Sequence, residues 1–394
     1  MKAKTTPVAP PANHVEATDR LSVGRVKPSA QPKSLLDLSP SEVVERVQGM
    51  GEPAYRGRQL LGWVYRDLVF DYARMTSLPR RLRERLAAEM PVLPLSAQAE
   101  VASDAGLTRK ALLGLAAGSG VETVLMVYPA RPGGSAAEAG RTRRTVCVSS
   151  QVGCGVGCPF CATGRSGLLR NLSAGEIVGQ VLYFARDIST REGADARLTN
   201  VVFMGQGEPL ANFRQVWKAI STLSSPEAFG LGARHLTIST SGLVPRIREL
   251  AETASQVGLA ISLHAPDDAL RDRLVPVNRK YPIAELMDAC SYYVERTNRR
   301  VSFEYVMIDG VNDSIEQAET LARLLRGFLG HVNLIPMNPV AESHYQPTPW
   351  KRVLAFEAAL RRRGIPCTVR VERGDPIDAA CGQLRARLLE LSSD

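Results

Sequence analysis

From Arg144 onward the sequence repeats one unit: a short apolar run of strand character, then an amphipathic helix. The strand-like runs fall at 144–149, 199–204, 235–240, 259–264, 301–307 and 331–337. Ser173-Ala-Gly-Glu176 reads as a capping box that opens a helix with Ile177, Val181 and Phe184 on its apolar stripe. Ser314-Ile-Glu-Gln317 opens another, with Leu321, Leu324, Leu325 and Phe328 inward, and Thr348-Pro349 reads as an N-cap followed by proline at the first helical position. Short strands alternating with helices leave few solutions. Parallel strands need crossover connections, and six such units predict an α/β chain built as a partial (β/α)6 barrel. Chemistry in such barrels sits at the C-terminal strand ends. A last run, 367–372, extends the sheet, and a loop at 373–384 follows it.

The loop after the first of these strands is Gln151-Val-Gly-Cys-Gly-Val-Gly-Cys-Pro-Phe-Cys-Ala-Thr-Gly164. Cys154, Cys158 and Cys161 can set three thiolates around one centre. A structural zinc site takes four protein ligands, and no fourth Cys or His lies near this loop. Three thiolates suit a four-iron cubane, which leaves one iron open to a small molecule. The glycines at 153, 155, 157 and 164 let the backbone wrap closely and turn N–H groups toward sulfur. The C-x3-C-x2-C spacing resembles the signature of radical S-adenosylmethionine (SAM) enzymes. There the open iron holds the amino acid end of SAM.

A cluster of this kind needs a reducing compartment. The 394 residues contain seven cysteines, an odd number, with no signal-peptide pattern and no apolar run long enough to span a bilayer. The expectation is a cytoplasmic protein with reduced thiols and no membrane partner. The net charge of +9 fits a polyanionic partner such as RNA but does not by itself identify one.

Four segments follow from the patterning. Residues 1–33 hold five prolines, six Lys or Arg and two acids without apolar periodicity, and read as a disordered basic tail. Residues 34–95 read as a small helical unit. Ser41 is placed to cap its first helix, with Val43, Val44 and Val47; Leu60, Leu61, Val64 and Tyr65 form a second stripe; a third helix begins near Pro79 and carries Leu82 and Leu86. Arg56, Arg58, Arg66, Arg80, Arg81, Arg83 and Arg85 make this unit basic, which fits a solvated face or an RNA-docking surface. Residues 96–143 alternate strands with turns, with 121–128 a strand and 131–142 a loop. Residues 144–394 form the barrel and its C-terminal loop.

Polar groups recur at the predicted strand ends. Gly207 and Glu208 follow the second strand, Glu208 offering an acceptor to an ammonium group. Ser239 ends the third, Ser262-Leu263-His264 the fourth, and Asn338 follows the sixth. Hydroxyl, imidazole and amide groups around one mouth suit a polar nucleoside such as SAM. On the strand pattern alone, Cys147 is a buried strand cysteine, Glu122 a solvent-facing strand residue, and Cys290 and Cys367 structural core residues.

These motifs occur together and in order. Cys147-Val-Ser-Ser-Gln-Val-Gly-Cys154, Gly205-Gln-Gly-Glu-Pro209, Ser239-Thr-Ser-Gly242, Ser262-Leu-His-Ala265, Leu334-Ile-Pro-Met-Asn-Pro339 and Arg373-Gly-Asp-Pro-Ile-Asp-Ala-Ala-Cys-Gly-Gln-Leu384 resemble the dual-specificity 23S rRNA/tRNA adenine-C2 methyltransferases (RlmN), from about residue 36 to about residue 390. Gln206 stands where that family would have Met, and Met337 where it would have Trp, but neither change removes a chemical group. The resemblance implies a 4Fe-4S cluster on the three loop cysteines, SAM bound by the strand-end residues, and two RNA partners, 23S rRNA and tRNA. It also implies an external electron donor such as a flavodoxin system. Cys381 would carry a methyl group taken from one SAM. A second SAM would yield the radical that takes hydrogen from this S-methyl group. The carbon radical would then add to adenine C2. Cys147 would release the adduct by forming a disulfide with Cys381, and Glu122 would accept the proton. The alternative is an adenine-C8 methyltransferase of the Cfr type, sharing the cluster and both thiols.

Overall fold

The computed structural model describes residues 34–103, 106–115, 118–130, 142–253, 255–338 and 343–370. Helices α1 (Pro40–Gly49), α2 (Ala54–Leu61) and α3 (Arg80–Glu89) come first. The α1 cap is Ser39 rather than Ser41. Its hydroxyl accepts from the Glu42 amide at 3.2 Å, and the Glu42 carboxylate accepts from the Ser39 amide at 2.6 Å. The Ser-Pro-Ser-Glu order explains the shift, since it puts proline at the first helical position and the glutamate at the third. The stripe Leu60, Leu61, Val64 and Tyr65 is buried as expected. Its second half continues α2 as a wider, π-helical turn over Gly62–Arg66.

Strands β1 (Leu95–Ala102), β2 (Thr108–Leu115) and β3 (Gly120–Tyr128) form an antiparallel meander, and β3 pairs antiparallel with β4 (Arg143–Cys147). From β4 the sheet turns parallel. A small hairpin, β5 (Gln151–Gly153) with β6 (Leu168–Asn171), frames the short helix α4 (Ala162–Arg165). Next come α5 (Ala174–Glu192), β7 (Asn200–Phe203), α6 (Phe213–Ser224), β8 (Leu236–Thr240), α7 (Val244–Glu252) and β9 (Gly258–Ser262). The chain continues through α8 (Asp268–Leu274), α9 (Ile283–Thr297), β10 (Val301–Met307), α10 (Ile315–Leu324), β11 (Gly330–Pro336), α11 (Trp350–Arg362) and β12 (Cys367–Val369). Helix α11 starts one residue later than expected: Pro349 occupies the N-cap, and Thr348 is buried beside it.

The ten-stranded sheet runs β1-β2-β3-β4-β7-β8-β9-β10-β11-β12. Its parallel part therefore adds strands in chain order without reversal. Right-handed crossovers in a sheet wound one way place all helices on one face, and sheet twist curls the other face into a lumen. Burial follows that geometry. Val146, Val201, Ile238, Leu259, Phe303 and Leu334 are fully buried in the main core, on the helix side. Their strand neighbours alternate to the lumen side. The α5 stripe of Ile177, Val181 and Phe184 is fully buried against that core, each side chain contributing roughly 1.5–3 kcal/mol. A 3-10 turn ahead of α1, Leu35–Asp37, packs Leu35 and Leu36 into this core. It also grips the first turn of α5, where an Asp37 carboxylate oxygen accepts from the Gly175 amide at 2.8 Å. Among the described residues, no helix is long and apolar enough to cross a membrane.

Candidate active site at the strand ends

The cysteine loop leaves β5 at Gly153, whose φ is +77°. A Cβ there would stand 1.9 Å from the Gly167 carbonyl oxygen. Only glycine lets the two ends of the loop close over each other at this point. The loop then packs inward. Val156, Cys158 and Phe160 rest on a small apolar cluster of Ala265, Leu270, Val306, Ile308 and Met337, apart from the main core. The Val156 amide donates to the Cys154 sulfur. Burial pushes the Cys154 thiol up to about 11 and raises Cys158 as well, with neighbouring Cys161 and Glu208 adding to both shifts.

The three thiols thus sense one another across the loop. Among the described residues, no group of three His, Cys, Asp or Glu is set to hold a single metal ion. A cubane does not ask its thiolates to converge on one ion, because each binds a different iron. The donor set and its close-wrapped backbone fit such a cluster, which Cys154, Cys158 and Cys161 would hold.

Glu208 is buried and sits between two strand ends. One carboxylate oxygen accepts from the Leu210 amide at 2.9 Å; the other accepts from the Ser241 amide at 2.7 Å and the Ser241 hydroxyl at 2.8 Å. Burial raises its pKa, and these hydrogen bonds hold it back. The Thr240 side chain adds a further hydrogen bond, so the carboxylate is fixed between the two strand ends. Gly207 reaches φ +97°, and a Cβ there would lie 2.5 Å from Gln151. Ser239 shares the lumen face with Ala260 and stands opposite to the buried Ile238.

The Ser262-Leu263-His264 edge is braced from two sides. The Leu263 and His264 amides donate to the Glu304 carbonyl at 3.0 and 3.3 Å, and Asn312 donates to the His264 carbonyl at 2.9 Å. Leu263 does not turn its side chain to the mouth; it is fully buried in the main core. His264 lies just beyond β9 in left-handed backbone, φ +59°. Its Nδ1 accepts from the Val306 amide at 3.1 Å, so a neutral ring carries its proton on Nε2. Burial, with the Arg271 cation nearby, lowers its pKa to about 3. Phe160 from the cysteine loop meets the ring edge-on at 5.1 Å. Asn338 follows β11 and is half-buried.

On the other side of the lumen, Cys147 ends β4, opposite Val124 on β3 and Val202 on β7. Glu122 is two residues from Val124 on the same strand, so its side chain shares the Cys147 face. It does not face solvent, as the strand pattern alone suggested. It is 3 % exposed and ion-paired at 3.0 Å with Lys110, itself 1 % exposed, across β2 and β3. The reason is the meander, which covers this edge of the barrel. Sequence reasoning missed Lys110; the signal was Arg109-Lys110 inside an apolar strand, which sends one cation to each face. Arg109 pairs with Asp187 of α5 at 2.7 Å, on the helix side. Cys290 and Cys367 are buried, and Cys381 lies outside the described residues.

Comparisons with known proteins agree on one kind of molecule. The Radical SAM superfamily matches residues 148–325, and the Ribosomal RNA large subunit methyltransferase N-terminal domain matches residues 33–92. A protein of Chloroflexus aurantiacus named "Probable dual-specificity RNA methyltransferase RlmN" is 51% identical over 365 residues, covering 91% of this chain and 94% of its own. A Geobacillus kaustophilus protein of the same name is 43% identical over 373 residues, covering 95% and 97%. The crystal structure of a radical SAM methyltransferase from Sphaerobacter thermophilus superposes with a TM-score of 0.83 at 52% identity, covering 89% of this chain and 99% of that one.

Proposed function

The chain belongs to the RlmN family of radical SAM RNA methyltransferases, and from that membership we propose that it methylates C2 of an adenosine in the peptidyl transferase centre of 23S rRNA and of an anticodon-adjacent adenosine in tRNA. The observation that supports this reading is that Glu122, two residues from the Cys147 partner Val124, shares one sheet face with Cys147 and is buried against Lys110.

Adenine C2 lies between two ring nitrogens and is electron-poor, so it does not attack the methyl group of SAM. Cys154, Cys158 and Cys161 would hold a cluster, which when bound would supply the electron for reductive cleavage of SAM. The chain's own residues do the rest. Glu208 would accept from the SAM ammonium. Gly207 lets the backbone pack against Gln151, whose side-chain oxygen accepts from the Glu208 amide at 2.8 Å. His264 presents a neutral Nε2–H donor, Ser239, Ser262 and Asn338 offer polar groups, and Leu263 takes part through its carbonyl.

Cys381 accepts a methyl group from one SAM. A second SAM provides the radical that removes a hydrogen atom from it, and the methylene carbon bonds to adenine C2. The adduct would then return one electron to the external redox partner that supplied it, and Glu122, held by Lys110, would take the C2 proton. The Cys147 thiolate attacks the Cys381 sulfur. The sulfur–sulfur bond forms as the sulfur–carbon bond breaks, and the released carbon is protonated to a methyl group. A reductant such as a flavodoxin system returns the disulfide to thiols and supplies the electron for SAM.

Nucleoside mass spectrometry tests this. RNA incubated anaerobically with the protein, SAM and a reductant should yield 2-methyladenosine. Formation of 8-methyladenosine would place the chain with the Cfr-type enzymes, and no methylated adenosine would refute both.

A further inference from the structure

Arg271 of α8 is fully buried. Its guanidinium donates only to neutral acceptors: Nε to the Leu263 carbonyl at 3.1 Å, Nη2 to the Ser241 and Ser262 carbonyls at 2.6 and 3.2 Å, and Nη1 to Asn278 Oδ1 at 2.8 Å. Among the described residues no carboxylate reaches it at ion-pair distance. The nearest, Asp268 and Asp272, are one step away and accept from Asn278 Nδ2 at 2.9 and 2.7 Å. Burying a guanidinium without a paired anion costs several kcal/mol. Its pKa falls by burial to about 10, so it stays charged at neutral pH. Three structural carbonyls do not need a full charge to join them; a neutral donor would serve.

The charge lies behind the cysteine loop. Its neighbours Leu270 and Leu274 on α8 belong to the apolar cluster on which Cys158 rests, and Ser241, whose carbonyl it holds, donates to Glu208 through its amide and hydroxyl. We infer that Arg271 is a positioning residue that fixes a positive charge behind the Cys158 side of the cluster site while tying the ends of β8 and β9 to it. The inference rests on the proposed reading that the loop cysteines hold an iron cluster. Reduction of such a cluster adds negative charge, and a fixed cation at its back favours that step, since net charge and hydrogen bonding set cluster potentials.

The test is a redox titration of the anaerobically reconstituted full chain, followed by electron paramagnetic resonance. Arg271→Gln removes the charge and keeps an amide donor for the strand-end carbonyls; Arg271→Lys keeps the charge and loses the fan of donors. Arg271→Gln should reduce the cluster's one-electron reduction equilibrium at least tenfold, a shift of about 59 mV to more negative potential. Arg271→Lys should stay nearer the parent than Arg271→Gln does. A parental potential in folded Arg271→Gln overturns the inference, as does an equal shift in both variants. If Arg271→Gln does not fold, Asp272→Asn decides. It removes a neighbouring negative charge and should move the potential upward; an unmoved potential overturns the inference. A parent chain that takes up no iron overturns the underlying reading, and the inference with it.

Discussion

His264 should make this protein sensitive to mild acid. Its ring is 7 % exposed, Nδ1 is occupied by the Val306 amide, and burial beside Arg271 holds its pKa at about 3. In the unfolded chain the same group titrates near 6.5, so between these values only the unfolded state takes up the proton. The contribution is present in full above the unfolded pKa and declines as pH falls toward the folded one. One pH unit corresponds to about 1.4 kcal/mol, so the loss between pH 7.5 and pH 5.0 is roughly 2 kcal/mol. His264→Gln keeps a neutral oxygen for the Val306 amide and removes the titration. Urea unfolding of both chains, in the same state of cluster loading, should show the parent losing roughly 2 kcal/mol more than the variant over that interval. His331, whose pKa burial also lowers, is common to both chains and cancels in the difference. Parallel losses in the two chains would refute the reasoning.

Four further outcomes are expected. Alanine at Cys154, Cys158 or Cys161 should remove iron and all SAM cleavage; one zinc per chain and no iron in anaerobically purified parent protein would contradict this. Cys381→Ala should abolish methyl transfer to protein and RNA. Cys147→Ala should accept the methyl and then stall with RNA attached, seen as a shifted band after nuclease digestion; full methylation by Cys147→Ala without trapped RNA would refute the resolving role. Arg58, Arg66 and Arg81 are exposed on the N-terminal helices. Changing all three to Glu should weaken RNA methylation several-fold, more so at higher salt, while sparing RNA-independent SAM cleavage. Equal loss of both activities would point to a folding defect instead.

The barrel was legible because each strand carries its own evidence. Alternation along 301–307 and 331–337, or the boxes at Ser173 and Ser314, needs no knowledge of distant residues. The strand-end groups were legible for the same reason, since a residue just past an apolar run lies at the mouth whatever the neighbours are. What stayed hidden depends on long-range pairing. Arg271 reads as one more charge in the polar stretch Asp268-Ala-Leu-Arg-Asp-Arg273, and only the meeting of β8, β9 and α8 buries it. Glu122 reads as a solvent-facing strand position until β2 lays Lys110 beside it. Leu263 sits between two strand-end polar residues, yet its side chain belongs to the main core, which the local pattern does not report.

The order of strands in the sheet also bears on how the molecule is made. Parallel neighbours from β4 to β12 are consecutive along the sheet, so each new strand can add to an edge already present as the chain leaves the ribosome. The cysteine loop is synthesised early, but part of its apolar floor is Val306, Ile308 and Met337, on and just after β10 and β11. For most of synthesis the three thiols therefore belong to an unfinished half-barrel with that floor incomplete, and arrival of the last strands completes the surface on which the loop rests.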